Sequence, residues 1–410
     1  MMELLKIIAV VVALVGHVAV CVFLFNRLNA LPIPRWTISL VEKLIGAAVV
    51  AGMVAVAGWL AMGKPELFSL AAWPNIAAAA YVAFCVAVAL WTAKQKWPRP
   101  LSSELRQRFT NQRSRTIDVQ GRLGKRLAHG WKTNLLAAVP GNQIFELDVT
   151  EKTFELPTLP ESLDGLSIAH VSDLHYTGQI DRLFYDTVID ELLSLDADLV
   201  MIAGDIIDRA ACIEWIRPTL GRLAAPHGVF AILGNHDKRR SDPARVRAAL
   251  NECGIIDLGG TSHTVQIDGV RLLLAGNERP WYKSLPKLPP RIGETDDAEF
   301  RLLLSHTPDQ IGWARQHGFD LMLAGHTHGG QIRFPWLGPV IAPSLYGAKY
   351  ASGVFYEAPT LMHVSRGVAG LEPIRLNCRP EISRLVLRCS VPVRGATSRA
   401  ENVRIASLTV

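Results

Sequence analysis

The sequence predicts an α/β domain with a largely parallel core, preceded by about three transmembrane helices. Three observations carry this expectation. The first 95 residues hold three long runs without a formal charge. From about Leu166 onward, short apolar runs alternate with stretches of helical periodicity. Those runs end in small clusters of Asp, His and Asn, at the strand termini where open α/β sheets place their sites.

The apolar runs span 7–26, 44–63 and 67–93, the third interrupted by Pro74 and Asn75. Each is long enough for a helix across a hydrocarbon core of about 30 Å. The first exceeds the ~7–15 apolar residues of a cleaved signal peptide, and is read as a retained span. The loop after span one carries Arg27, Arg35 and Lys43, and the loop after span two carries Lys64 alone. Eleven Lys/Arg against two acids follow span three, between Lys94 and Lys132. That asymmetry predicts an outside N-terminus and a cytoplasmic catalytic region, on a multi-pass protein of the inner (plasma) membrane.

His17, inside span one, is expected to act as a neutral hydrogen-bonder between helices. The small face of span two (Gly46, Ala47, Ala48, Gly52, Ala55, Gly58) is expected to pack helices. The six cysteines include no C-x-x-C pair, which fits a reducing compartment and argues against a disulfide framework or zinc ribbon. The basic stretch reads as a solvated linker or a sleeve against anionic headgroups. Its aromatics are not regularly interleaved, so nucleic acid is not an expected partner. The expected organisation is a membrane domain over 1–95, a basic linker over 96–142, a catalytic domain over 143–389 and a tail over 390–410.

Within the soluble part, residues 144–149 alternate like a strand and 153–156 suggest another, before Pro157 and Pro160 break the chain. The apolar run 166–171 ends in Ser172-Asp173-Leu174-His175, and a helix is expected over 182–195. The run 199–203 leads into Gly204-Asp205-Ile206-Ile207-Asp208-Arg209, with a second helix over 213–223. The run 229–233 leads into Gly234-Asn235-His236-Asp237. A hairpin turns at Asp268-Gly269. The irregular stretch 277–294 contains Trp281-Tyr282-Lys283, which reads as packing or as a lip for an acyl chain or headgroup. A strand over 301–304 delivers His306. The run 321–324 reads as a buried strand that delivers Gly325-His326-Thr327-His328-Gly329-Gly330-Gln331. Late strands are expected over 360–364 and 382–387. His170, mid-strand, reads as a core histidine, and His129, His227, His263 and His363 have no ligand spacing.

The strand-end residues Asp173, His175, Asp205, Asn235, His236, His306, His326 and His328 mix carboxylates with imidazoles. That mix suits Mn, Fe or Zn better than Ca. It supplies too many ligands for one tetrahedral ion, so a carboxylate shared between two ions is the natural solution.

The ordered set D-x-H, G-D-x-x-D-R, G-N-H-D, H and G-H-x-H resembles the calcineurin-like metallophosphoesterase superfamily over about residues 143–389. With spans in front, it resembles the membrane-associated bacterial branch. That branch includes predicted phosphohydrolases and some UDP-2,3-diacylglucosamine pyrophosphatases. The resemblance implies a four-layer α-β-β-α sandwich. It implies that Asp173, His175 and His328 hold one divalent ion, that Asn235, His306 and His326 hold a second, and that Asp205 bridges both. It further implies that His236 faces the scissile phosphate, oriented by Asp208, and that Arg209 contacts a phosphate oxygen. The chemistry expected is attack of a metal-bridging hydroxide on a phosphomonoester, phosphodiester or diphosphate. A lipid or nucleotide-linked lipid suits a site near the bilayer, and soluble phosphate esters are the alternative. A catalytically silent metal-binding scaffold would not need to retain every ligand and His236, as this sequence does.

Overall fold

The computed structural model describes residues 2–61, 73–96, 102–290 and 299–390. Lys64, the start of the third apolar run, the end of the irregular stretch 277–294 and the tail from 391 lie outside the described residues. The chain forms two compact units, Met1–Pro100 with Val340–Lys349, and Leu101–Pro339 with Tyr350–Val410.

The first unit is built on α1 (Met2–Asn29), α2 (Arg35–Ala61) and α3 (Trp73–Lys96). All three are long and apolar enough to cross a membrane. His17 on α1 meets the Tyr81 hydroxyl through Nδ1 at 2.6 Å and the Ala48 carbonyl through Nε2 at 2.9 Å. A carbonyl only accepts, so Nε2 carries the proton and Nδ1 accepts from the tyrosine. One imidazole thus ties all three helices together. The small face of α2 is used locally. A Cβ at Gly52 would sit 2.7 Å from the His17 ring, whereas Gly46 and Gly58 meet nothing within 4 Å.

The second unit starts with α4 (Ser103–Arg108), β1 (Phe109–Asp118), α5 (Val119–Leu123), α6 (Trp131–Ala137) and β2 (Glu146–Leu156). Next come β3 (Ser167–Val171), α7 (Arg182–Leu193), β4 (Leu199–Ala203), β5 (Val229–Ile232), α8 (Asn235–Arg240), α9 (Pro243–Glu252) and β6 (Ile256–Asp257). The hairpin of β7 (Ser262–Ile267) and β8 (Val270–Asn277) is followed by β9 (Glu299–Ser305), α10 (Ile311–Gln316) and β10 (Leu321–Ala324). A small hairpin of β11 (Arg333–Phe334) and β12 (Gly338–Pro339), then β13 (Gly353–Glu357), β14 (Thr360–Val364) and β15 (Glu381–Cys389), complete the unit.

Two sheets result. One runs β1-β2-β15-β3-β4-β5-β6 and the other β13-β14-β10-β9-β8-β7. The pairs β3–β4, β4–β5, β9–β10 and β10–β14 are parallel. Strands β4, β5 and β10 are apolar at every position because both of their faces are covered. Along β4, Leu199, Met201 and Ala203 enter the core between the sheets, while Val200 and Ile202 enter a second core with Phe184, Val188 and Leu192 of α7. Along β10, Leu321 and Leu323 point between the sheets, while Met322 and Ala324 join Ile311 and Ala314 of α10 in a third core. Three apolar layers between four structural layers make the expected α-β-β-α sandwich.

Three segments depart from the sequence reading. Residues 96–142, expected as a linker, carry β1, α5 and α6, and Val119 and Leu127 are fully buried in the core. Strand β1 hides from periodicity because it is an exposed edge, held by its ladder to β2 and by Arg115, 2.5 Å from Glu191. The two strands expected over 144–149 and 153–156 are one strand, β2. Its polar middle includes Lys152, buried and 2.5 Å from Glu381 on β15. The helix expected over 213–223 is two short 3₁₀ turns, Ala210–Trp215 and Leu220–Arg222. Pro218 stands between them and cannot donate to a helical ladder.

Candidate active site

The clusters after β3, β4 and β10 turn sharply. Asp173, His175, Asp205, His326 and His328 all have left-handed backbone, with φ between 47° and 71°. That conformation costs an L residue roughly 1–2 kcal/mol, least for short polar side chains, and such strain gathers at functional sites. Here it aims the side chains of successive strand ends at one point. Two glycines allow the close approach. A Cβ at Gly234 would lie 2.1 Å from Asp205 Oδ1, and one at Gly325 would lie 2.6 Å from Asp173 Oδ2.

Two groups of potential ligands converge. Asp173, His175, Asp205 and His328 form one, and Asp205, His306 and His326 the other, with Asp205 common to both. In the first, His328 Nε2 is 3.5 Å from Asp173 Oδ1, and His175 Nε2 is 3.7 Å from Asp205 Oδ2. In the second, His306 Nε2 is 3.2 Å from Asp205 Oδ2 and 3.1 Å from Asn235 Oδ1.

Outer hydrogen bonds fix the tautomers. His175 Nδ1 donates to Asp208 at 2.6 Å, His306 Nδ1 to the Ala203 carbonyl at 2.7 Å, and His328 Nδ1 to the Ala369 carbonyl at 3.0 Å. All three present an Nε2 lone pair inward, the arrangement that orients metal-bound imidazoles. The Nε2 atoms of His175 and His328 face each other at 3.1 Å. Two lone pairs at that distance repel unless a cation or a proton lies between them.

The polar atoms left over point the same way. Asp205 Oδ2 and both ring nitrogens of His326 are buried without a hydrogen-bond partner. Asp173 and Asp205 are fully buried carboxylates, and no Lys or Arg pairs with either among the described residues. Burial would hold the His175 and His306 imidazoles down. The carboxylates outweigh it, Asp208 chiefly at His175 and Asp205 chiefly at His306, and push both up to about 9. A buried site with surplus negative charge and orphan donor atoms fits divalent cations.

His236 lies beside these groups, its ring edge-on to His175 with centroids 4.7 Å apart. Its Nδ1 is 2.5 Å from Asp208 Oδ1, and its backbone N–H donates to Asp205 Oδ1 at 2.8 Å. Asp208 therefore serves two histidines, one through each oxygen. Burial pushes the Asp208 carboxyl up, but His175 and His236 together hold it well below the usual carboxylate range. Arg209 is exposed and runs past Gly178. The guanidinium that reaches Asp208 belongs to Arg240, at 3.4 Å.

A family model described as Calcineurin-like phosphoesterase matches residues 166–330. The uncharacterized metallophosphoesterase YkuE of Bacillus subtilis (strain 168) is 30% identical over 59% of this chain and 86% of that protein. The chain belongs to the calcineurin-like phosphoesterases. It is a metal-dependent hydrolase of phosphoric ester or diphosphate bonds. Phosphodiesterase YaeI of Escherichia coli (strain K12) is also similar, 30% identical over 54% of this chain and 81% of that protein. So is UDP-2,3-diacylglucosamine pyrophosphatase LpxG of Chlamydia trachomatis, 27% identical over 59% of this chain and 89% of that protein.

Two contributors to this calcineurin-like site were invisible to ligand spacing. Asp237, the last letter of Gly234-Asn235-His236-Asp237, accepts the backbone N–H groups of Ile206, Ile207 and Gly234 at 2.8–3.0 Å. It splints the Asp205 loop to the His236 loop, and its place in the motif was the available signal. Trp281 is only 3% exposed and packs on His306 and His326, with ring centroids 5.3 and 4.7 Å apart. Of the two readings of Trp281-Tyr282-Lys283, packing or lip, packing holds for the aromatics: the indole backs the histidines and Tyr282 lies under Lys238. His170, read as a core histidine, is fully buried, with Nδ1 2.9 Å from Nδ1 of His363.

Proposed function

We propose that this protein is a membrane-anchored dinuclear phosphoesterase whose substrate is a phosphodiester or diphosphate carried by a lipid or nucleotide-linked lipid. The observation that carries the reading is Asp205, common to two converging ligand groups that both fit a cation. Asp173, His175 and His328 would hold one divalent ion, Asn235, His306 and His326 the other, and Asp205 both. When bound, Mn, Fe or Zn at these positions supplies an activated water and neutralises charge on the phosphoryl oxygens.

The remaining work falls to the chain. Asp208 accepts the Nδ1–H of His236 and leaves Nε2 for the substrate. When it carries both ring protons, His236 donates its Nε2–H to a phosphoryl oxygen or gives that proton to the leaving oxygen. Asp237 holds the loops of Asp205 and His236 in register. Trp281 keeps water from the far side of His306 and His326.

The lipid-linked substrate is supported by the three apolar helices and by similarity to a protein named as a UDP-2,3-diacylglucosamine pyrophosphatase. Similarity to a protein named as a phosphodiesterase supports the diester class more broadly. The Lys/Arg asymmetry supports a catalytic unit on the cytoplasmic face of the inner membrane. The test is a hydrolysis screen of purified full-length protein with Mn, Fe and Zn. It compares lipid-linked diphosphates, phosphodiesters and phosphomonoesters. Turnover confined to soluble monoesters would overturn the substrate class.

A further inference from the structure

The segment between the His326-Thr327-His328 motif and β13 carries a concentration of exposed apolar side chains that none of the three cores uses. Phe334 is 52% exposed, Trp336 99%, Leu337 46% and Ile341 48%. Leu345 and Tyr346 are exposed as well. Trp336 stands at the tip of the β11–β12 hairpin with φ of 61°, the left-handed region that a bulky residue rarely adopts. A tryptophan held there, wholly in water, adds nothing to folding.

The same segment is fastened to the end of a span. Asn26, 3% exposed and three residues before the end of the candidate span Ile7–Asn29, donates through Nδ2 to the Val340 carbonyl at 3.1 Å. Its Oδ1 accepts the Ala342 N–H at 2.9 Å, and Ala342 is fully buried. Both halves of the amide are thus used on backbone, which fixes 340–342 at the level where α1 ends. Ile341, between the two clamped residues, turns outward. Trp336 is four residues upstream, so the chain alone keeps it within about 14 Å of Val340. Trp36, at the start of α2 and so at the same end of the spans, is 71% exposed. Tryptophan and tyrosine collect at this depth because their rings suit the headgroup–acyl boundary.

We propose that residues 334–346 are a membrane-interface loop. Ile341, Leu345 and Tyr346 enter the headgroup–acyl boundary at the end of α1, and the chain keeps Trp336 and Leu337 within reach of it, so the lipid surface is the partner of this loop. The proposal rests on the membrane reading above and deepens it. The loop starts six residues after His328, and Arg333 Nε holds the Gly329 carbonyl at 2.9 Å.

The test uses full-length protein in phosphatidylcholine–phosphatidylglycerol vesicles. Cys253 and Cys389 are replaced by Ser, because the other native cysteines are buried. An environment-sensitive fluorophore is then attached at Trp336→Cys, or at Asp268→Cys in the exposed β7–β8 turn as the control. The expected result is a blue shift at 336, quenching by nitroxide lipids and loss of iodide quenching, with the reverse at 268. Iodide quenching at 336 equal to that at 268 would overturn the proposal. So would shielding from iodide without nitroxide quenching, which would mark a protein partner. Alkaline carbonate extraction of the same vesicles separates the two readings. Release of the protein refutes the spans themselves, whereas retention with a water-exposed 336 refutes only the loop.

Discussion

Replacing Asp208 by Asn should disable catalysis while leaving the fold intact, and the size of the effect follows from the geometry. The carboxylate accepts from His175 Nδ1 at 2.6 Å and from His236 Nδ1 at 2.5 Å, one oxygen each. Asparagine is isosteric but offers one acceptor and one donor. It can satisfy one Nδ1–H, and its amide N–H then confronts the other. A hydrogen bond to a charged group contributes about 1.5–3 kcal/mol. At about 1.4 kcal/mol per tenfold, loss at His236 alone lowers the correctly held population by roughly 10–150-fold. If the amide instead favours His236, His175 loses its tautomer. Metal affinity then falls by roughly 10–100-fold, as expected when the partner that orients a ligand is removed. The assay is kcat and KM on a soluble diester at saturating Mn, together with metal content after dialysis. The expected result is kcat down by roughly 10–150-fold at any Mn concentration, or activity recovered only at raised Mn. Wild-type kcat with wild-type metal retention would refute the dual role of Asp208.

Four further outcomes are expected. Asp205→Ala and Asp205→Asn should both lose metal-dependent hydrolysis and bind fewer than two ions per chain by elemental analysis. His236→Ala should keep its ions while kcat falls roughly 10²–10⁴-fold, the range for a lost acid–base group; loss of a metal would make His236 a ligand. A chain starting at Ser102 should fold and hydrolyse a soluble ester, because β1, α5 and α6 complete the sheet and its core. One starting at Gly141 should aggregate on purification, since it lacks Val119 and Leu127. Acid should destabilise the buried histidine pair. Burial holds His170 down to about 3 and His363 well below its ordinary value, so the folded state binds fewer protons than the unfolded one. This contribution is present above about pH 6.5 and lost below it, by about 1.4 kcal/mol for His170 between pH 7.5 and about pH 5.5. Thermal midpoints of wild type and His170→Gln at those two pH values check it, the variant showing the shallower acid loss.

Much of the site was legible because its chemistry depends on strand ends, and buried strands announce themselves as apolar runs. The runs before Asp173, Asp205, Asn235 and His326 became β3, β4, β5 and β10. What stayed hidden lacked a pattern. Strand β1 is an edge whose side chains face water on both sides, so no alternation marks it. Lys152 broke β2 in the sequence reading, although it lies inside the sandwich with Glu381. Partners of the ligand histidines, such as the Ala203 and Ala369 carbonyls, are backbone atoms that any residue supplies. Trp281 reads as a loop aromatic in sequence and becomes a wall only when β8 and β9 set it against His306 and His326.

The position of β15 bears on how the protein is made. Among the described residues it is the last strand, yet it lies between β2 and β3, paired along its length with β2 and across four residues with β3. While the ribosome works through the intervening residues, β2 and β3 each present an unpaired edge, and unpaired edges invite wrong partners. The hydrophobic helices emerge first and can engage the bilayer long before the sheet has its middle. Until β15 is in place, β3 lacks its neighbour on the side of β2, and the sheet that carries Asp173 and Asp205 is left in two pieces.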